Sequence, residues 1–88
     1  MNSDGVLDRV MEIVADVAGP ARTPDEVRPG TPLREGGFWL DSVDLLELVV
    51  ACEAEFDLDF DPATGLTETA LATVGSLAAM IASRRPSP

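Results

Sequence analysis

Leu40-Asp41-Ser42-Val43-Asp44-Leu45-Leu46-Glu47-Leu48 decides how this chain is read. Asp41 is a strong helix N-cap, and Asp44 three residues on completes a capping-box-like pair. Ser42 therefore falls at the first helical position. A negatively charged group on its hydroxyl would meet backbone N–H groups that lack a carbonyl partner, at the positive end of the helix dipole. The pattern predicts a helix over 41–56. Leu45, Leu48, Val49, Cys52 and Phe56 share one face and are expected in the core. Val43, Leu46 and Val50 share another, flanked by Asp44, Glu47 and Glu53. One apolar stripe is enough to pack a helix. The second stripe is expected either to dock a partner, rimmed by carboxylates, or to meet the loop or another helix.

Upstream, residues 2–18 repeat apolar side chains at three- and four-residue spacing: Val6, Leu7, Val10, Met11, Ile13, Val14, Val17 and Ala18. This predicts a core-facing helix with Asp8, Glu12 and Asp16 outward. Asn2, Ser3 and Asp4 offer N-caps, and Gly19-Pro20 is a stop signal. Residues 19–40 form a long connection rich in Pro and Gly. Thr23-Pro24-Asp25-Glu26 suggests a short turn that brings Val27 to the core. Leu33, Phe38, Trp39 and Leu40 are expected to pin the loop down, with Trp39 as a packing anchor. Loops of this length in small domains are usually functional or flexible.

Downstream, Asp57, Asp59, Asp61 and Glu68 have the spacing of a calcium-binding loop, but Pro62 stands where that loop needs glycine for its sharp turn. A metal site is therefore not expected. A short helix is predicted within 62–71, entered near Thr67. The last helix is predicted over 74–83, capped by Thr73, with Val74, Leu77, Ala78 and Ile81 inward and Arg84 and Arg85 near its end. Strand alternation is missing. The expectation is an all-α fold: a small four-helix bundle of three longer helices and one short one, in a single domain over 1–88, ordered from about 4 to 84 and ending in a Pro-rich tail.

Composition narrows the function. Sixteen acids face six arginines, a net charge of −10, which disfavours nucleic acid and anionic membranes and favours basic protein partners. The chain has no His and no Lys, so Ser-His, Cys-His and Ser-Lys nucleophile pairs are excluded. Ser42 therefore has no obvious activating base within its own chain. It suits the role of substrate for another enzyme better than that of catalyst. The lone Cys52 excludes a disulfide framework and is expected to be a buried small hydrophobe. With no secretory segment and no spanning run, a cytoplasmic monomer is expected.

Asp41-Ser42-Val43, then Leu46-Glu47-Leu48, then Glu53-Ala54-Glu55-Phe56, set on an acidic helix behind a long loop, resemble the acyl carrier protein family over about residues 4–83. The resemblance implies a 4'-phosphopantetheine arm joined to Ser42 through a phosphodiester, with Asp41 holding the helix start. It implies no catalysis by the chain itself. A phosphopantetheinyl transferase would load the arm, using its own magnesium. Acyltransferase, ligase or ketosynthase-type enzymes with basic patches would dock on Val43, Asp44, Leu46, Glu47, Val50 and Glu53. The family usually places one glycine shortly before the Asp-Ser pair. Here Gly36-Gly37 lies further back, and Phe38-Trp39-Leu40 intervenes. Leu66 to Val74 looks closer to free-standing carriers of specialised-metabolite pathways, polyketide or related, than to fatty-acid carriers. The other reading is an unmodified acidic helical adaptor for a basic protein.

Overall fold

Residues 3–59 and 69–84 are described in the computed structural model of the chain. Three helices follow in order: α1 (Ser3–Ala18), α2 (Ser42–Phe56) and α3 (Val74–Arg84). Among the described residues there is no strand, only one isolated antiparallel bridge between Pro32 and Thr73. The fold is all-α. The short helix expected within 62–71 falls mainly outside the described residues, and 69–71 form a turn. The N-cap expected among Asn2, Ser3 and Asp4 also rests on side chains outside the description. No described helix is long and apolar enough to cross a membrane.

The apolar spacing of α1 does what it predicts. Val6, Val10, Ile13, Val14 and Ala18 are buried, while Asp8, Glu12 and Asp16 are exposed. Both other helices pack against α1. α2 contributes Leu45, Leu48, Val49 and Cys52, and α3 contributes Val74, Leu77, Ala78 and Ile81. Burying a side chain such as Leu48, which is fully covered, stabilises the fold by roughly 1.5–3 kcal/mol. No polar or charged side chain is buried among the described residues. The aliphatic core leaves the charges to the surface, where Arg9 joins Glu55 at 2.8 Å and ties α1 to α2.

α1 stops where Gly19 takes φ 82 and its N–H donates to the Ala15 carbonyl at 2.8 Å. A left-handed glycine of this kind is a common helix C-terminus. The turn expected to start at Thr23 begins here instead. The Gly19 carbonyl accepts from the N–H groups of Arg22 and Thr23, both at 3.2 Å, and from Thr23 Oγ1 at 2.8 Å. Val27 packs against the core, half-buried.

The long connection is pinned at both ends. Leu33 N–H donates to the Ala72 carbonyl (3.0 Å), Val74 N–H to Thr31 (3.1 Å) and Gly75 N–H to Pro29 (2.7 Å), so residues 29–33 lie along the start of α3. Residues 32–40 then fold back on themselves. Phe38 N–H reaches the Pro32 carbonyl at 3.1 Å, Trp39 N–H reaches Arg34 at 2.9 Å, and Leu40 N–H reaches Leu33 at 3.0 Å. Gly37 makes this possible, because a Cβ there would run into the Pro32 carbonyl.

Leu33, Phe38 and Leu40 are buried, as expected of residues that pin a loop. Trp39 is not: it is 59% exposed, with φ 57. The expectation of a packing anchor is corrected here. Phe38 and Leu40 both point into the core, and the backbone between them turns through the left-handed region, which carries the residue in the middle outward.

Candidate functional site

The site begins with the cap of α2. Asp41 lies in extended backbone, φ −94 and ψ −175. Its Oδ1 accepts from the Asp44 N–H at 2.8 Å, and Asp44 Oδ2 accepts from the Asp41 N–H at 3.1 Å. The capping box read from the sequence is therefore formed in both directions. It places Ser42 at the first helical position, exposed, with none of the described residues engaging its hydroxyl. The N–H groups of Ser42 and Val43 lie in the first turn, where a helix offers no carbonyl four residues back.

Asp44 has a second partner that sequence reasoning missed. Arg22, in the turn after α1, donates from an Nη to Asp44 Oδ2 at 2.7 Å and from Nε to the Ala18 carbonyl at 3.0 Å. The same Nη stands 3.5 Å from the Trp39 carbonyl. One guanidinium thus spans the end of α1, the loop and the start of α2. The Arg22 hydrogen bond and then the Asp41 N–H hold the Asp44 carboxyl down at about 2. Near the serine, one of two carboxylates is offset by a fixed cation. The only signal in the sequence was a basic residue four positions past Ala18, suited to the carbonyls at a helix C-terminus.

The outer stripe of α2 is exposed: Val43 65%, Leu46 65% and Val50 55%. With Trp39 these are the large hydrophobics open to solvent among the described residues. Glu47 is exposed beside them, Glu53 is half-buried, and the Asp44 side chain is 16% exposed in its pair with Arg22. The alternative for this stripe is packing against the loop or another helix; among the described residues neither covers it. Cys52 lies on the inner face, and burial pushes its thiol up to about 12, too high for a nucleophile at neutral pH. Asp57 and Asp59 are exposed, Asp61 and Glu68 lie outside the described residues, and no metal-holding group of acids, His or Cys occurs among those described.

The family model for the phosphopantetheine attachment site matches residues 8–81, most of the chain and all three helices in large part. The chain belongs to that family. Its members are carriers that do no catalysis of their own, bear 4'-phosphopantetheine covalently, and work with modifying and biosynthetic enzymes. Neither the comparison with curated proteins nor that with solved structures returned a match.

The geometry suits the attached group. A phosphodiester needs an open hydroxyl and donors or a cation nearby. Ser42 is open, the first-turn N–H groups face outward from the helix start, and Arg22 stands anchored against Asp44 across the same turn.

Proposed function

We propose that Ser42 is the residue that carries the arm, and that this single carrier domain shuttles acyl or aminoacyl groups between biosynthetic enzymes of a specialised-metabolite pathway. The observation that carries this reading is an exposed serine at the first position of a capped helix, within a chain of the attachment-site family. When bound, the arm supplies a terminal thiol that holds cargo as a thioester, activated for acyl transfer.

The chain's own part is to present and to be recognised. Asp41 fixes the helix start, so Ser42 keeps its place at the head of α2. During loading, that oxygen bonds to the phosphorus that coenzyme A gives up, 3',5'-adenosine bisphosphate leaves, and the hydroxyl proton passes to a base on the transferase. With no His or Lys, this chain has no Ser-His or Ser-Lys pair to activate the hydroxyl itself. Reliance on coenzyme A points to a cytoplasmic protein.

Partners would read the outer face of α2. Val43, Leu46 and Val50 offer apolar contact, and Asp41, Glu47 and Glu53 supply negative charge around it. Asp44, though part of the same turn, is engaged by Arg22 and serves the face by holding the helix start. Acyltransferase, ligase or ketosynthase-type enzymes with basic patches suit this face. Charge-steered docking with fast release suits a shuttle.

Intact mass after incubation with coenzyme A and a broad-specificity phosphopantetheinyl transferase tests the site. The wild type should gain one arm, and Ser42→Ala should gain none while keeping its fold. An alanine variant that still gains the mass moves the attachment elsewhere.

A further inference from the structure

Trp39 is held in a backbone conformation that disfavours L side chains, with φ 57, yet its ring is 59% exposed. The core does not need the indole, and the turn would form more easily with glycine at this position. An unfavourable backbone under an exposed ring is an outlier that calls for a role outside the fold.

The backbone that carries the ring is also firmly placed. The Trp39 backbone N–H donates to the Arg34 carbonyl, its neighbours Phe38 and Leu40 are buried and donate to the carbonyls of Pro32 and Leu33, and the Trp39 backbone carbonyl faces Arg22. Ser42 follows three residues later, so their Cα atoms can be no more than about 11 Å apart. Between them stand only Leu40, fixed in the core, and Asp41, fixed in the cap.

We propose that Trp39 is a positioning residue for the arm: its indole is the surface against which the pantetheine segment on Ser42 lies. This rests on the reading of Ser42 as the attachment site. The chemistry is matched. The arm carries a gem-dimethyl group and two planar amides, and an indole offers a broad apolar face with a polar edge. Tethering decides in favour of the arm over an outside partner. An attached chain stays at an effective concentration in the millimolar range, so even weak packing on the ring is populated. A partner must first meet the entropy of association.

Trp39 is the only tryptophan, so its emission reports the contact directly. The protein is loaded with coenzyme A and a broad-specificity transferase, freed of both, and checked by intact mass. Failure to gain the arm overturns the Ser42 reading itself and is seen before any optical measurement. In loaded protein, Trp39 emission should shift to shorter wavelength and its quenching by acrylamide should fall about twofold. Ser42→Asp, which adds charge without an arm, should show neither change. The proposal is overturned if loaded and unloaded proteins quench alike, or if Ser42→Asp reproduces the change. It is overturned equally if emission responds only when a partner enzyme is added, which would assign the indole to docking.

Discussion

Arg22 and Asp44 meet at 2.7 Å across 22 residues of sequence, and Asp44 accepts from the Asp41 N–H with the same oxygen. The ion pair therefore acts on the cap as well as on the loop. Arg22→Met, which keeps the stem and removes the guanidinium, should lower stability and loosen residues 39–44. Asp44→Asn should do the same. In a double-mutant cycle by urea unfolding the two losses should be less than additive, and the coupling should shrink as salt is added, because both groups are partly open to water. Strict additivity would mean that the pair contributes nothing beyond its two ends.

The same carboxylate sets an acid response. Asp44 titrates at about 2 in the folded protein against an ordinary value of 3.8. A depressed folded value means that the unfolded chain binds the proton first. Its contribution is fully present above about pH 4 and is lost as pH falls toward 2. Wild-type stability should therefore drop more steeply over that window than that of Asp44→Asn. Parallel curves from urea titrations at pH 2, 3, 4 and 5 would remove Asp44 from the acid transition.

Gly37→Ala should destabilise by about 1–3 kcal/mol, since the added carbon meets the Pro32 backbone rather than a side chain that can swing away. Gly30→Ala is the control. It has open space and no left-handed φ, and should stay within about 0.5 kcal/mol of wild type.

Leu46 and Leu48 separate the two faces of α2. Leu48→Ala should cost about 2–5 kcal/mol, because the side chain is fully buried. Leu46→Ala should change stability by less than about 0.5 kcal/mol but speed dissociation from a partner enzyme. Glu47→Arg should instead slow association, most at low salt. Transfer kinetics at two salt concentrations distinguish these. If Leu46→Ala unfolds the protein, its stripe belongs to the core.

Replacing Trp39 tests the backbone outlier without reference to any arm. Trp39→Gly should be no less stable than wild type, with a gain of up to about 1 kcal/mol, and should exceed Trp39→Ala, which keeps the left-handed strain and loses the ring's contacts. Alanine equal to glycine would show that φ at this position costs little.

The three helices were legible because local signals agree: periodic apolar positions in α1, the Asp41–Asp44 box before α2, Thr73 before α3, and Gly19-Pro20 as a stop. Ser42 at the head of α2 could be read from the cap alone. What could not be read depends on contacts between distant segments. Nothing near Arg22 names Asp44 as its partner. The pairing of 29–33 with 72–75 runs through backbone groups and leaves no mark in side-chain pattern. Trp39 was misjudged because three successive apolar residues look alike in sequence. A chain that buries the first and third must turn the middle one out.

Nearly every bond that shapes residues 29–40 joins backbone to backbone. Such bonds are indifferent to the side chains they carry. Arg34 and Glu35 stand exposed at the tip, and Arg34 contributes only its carbonyl to the turn. The tip can therefore exchange or reverse its charge while the path of the chain to the serine stays the same. The route to the serine is thus insulated from the charge at the tip, with no compensating change needed anywhere in the core.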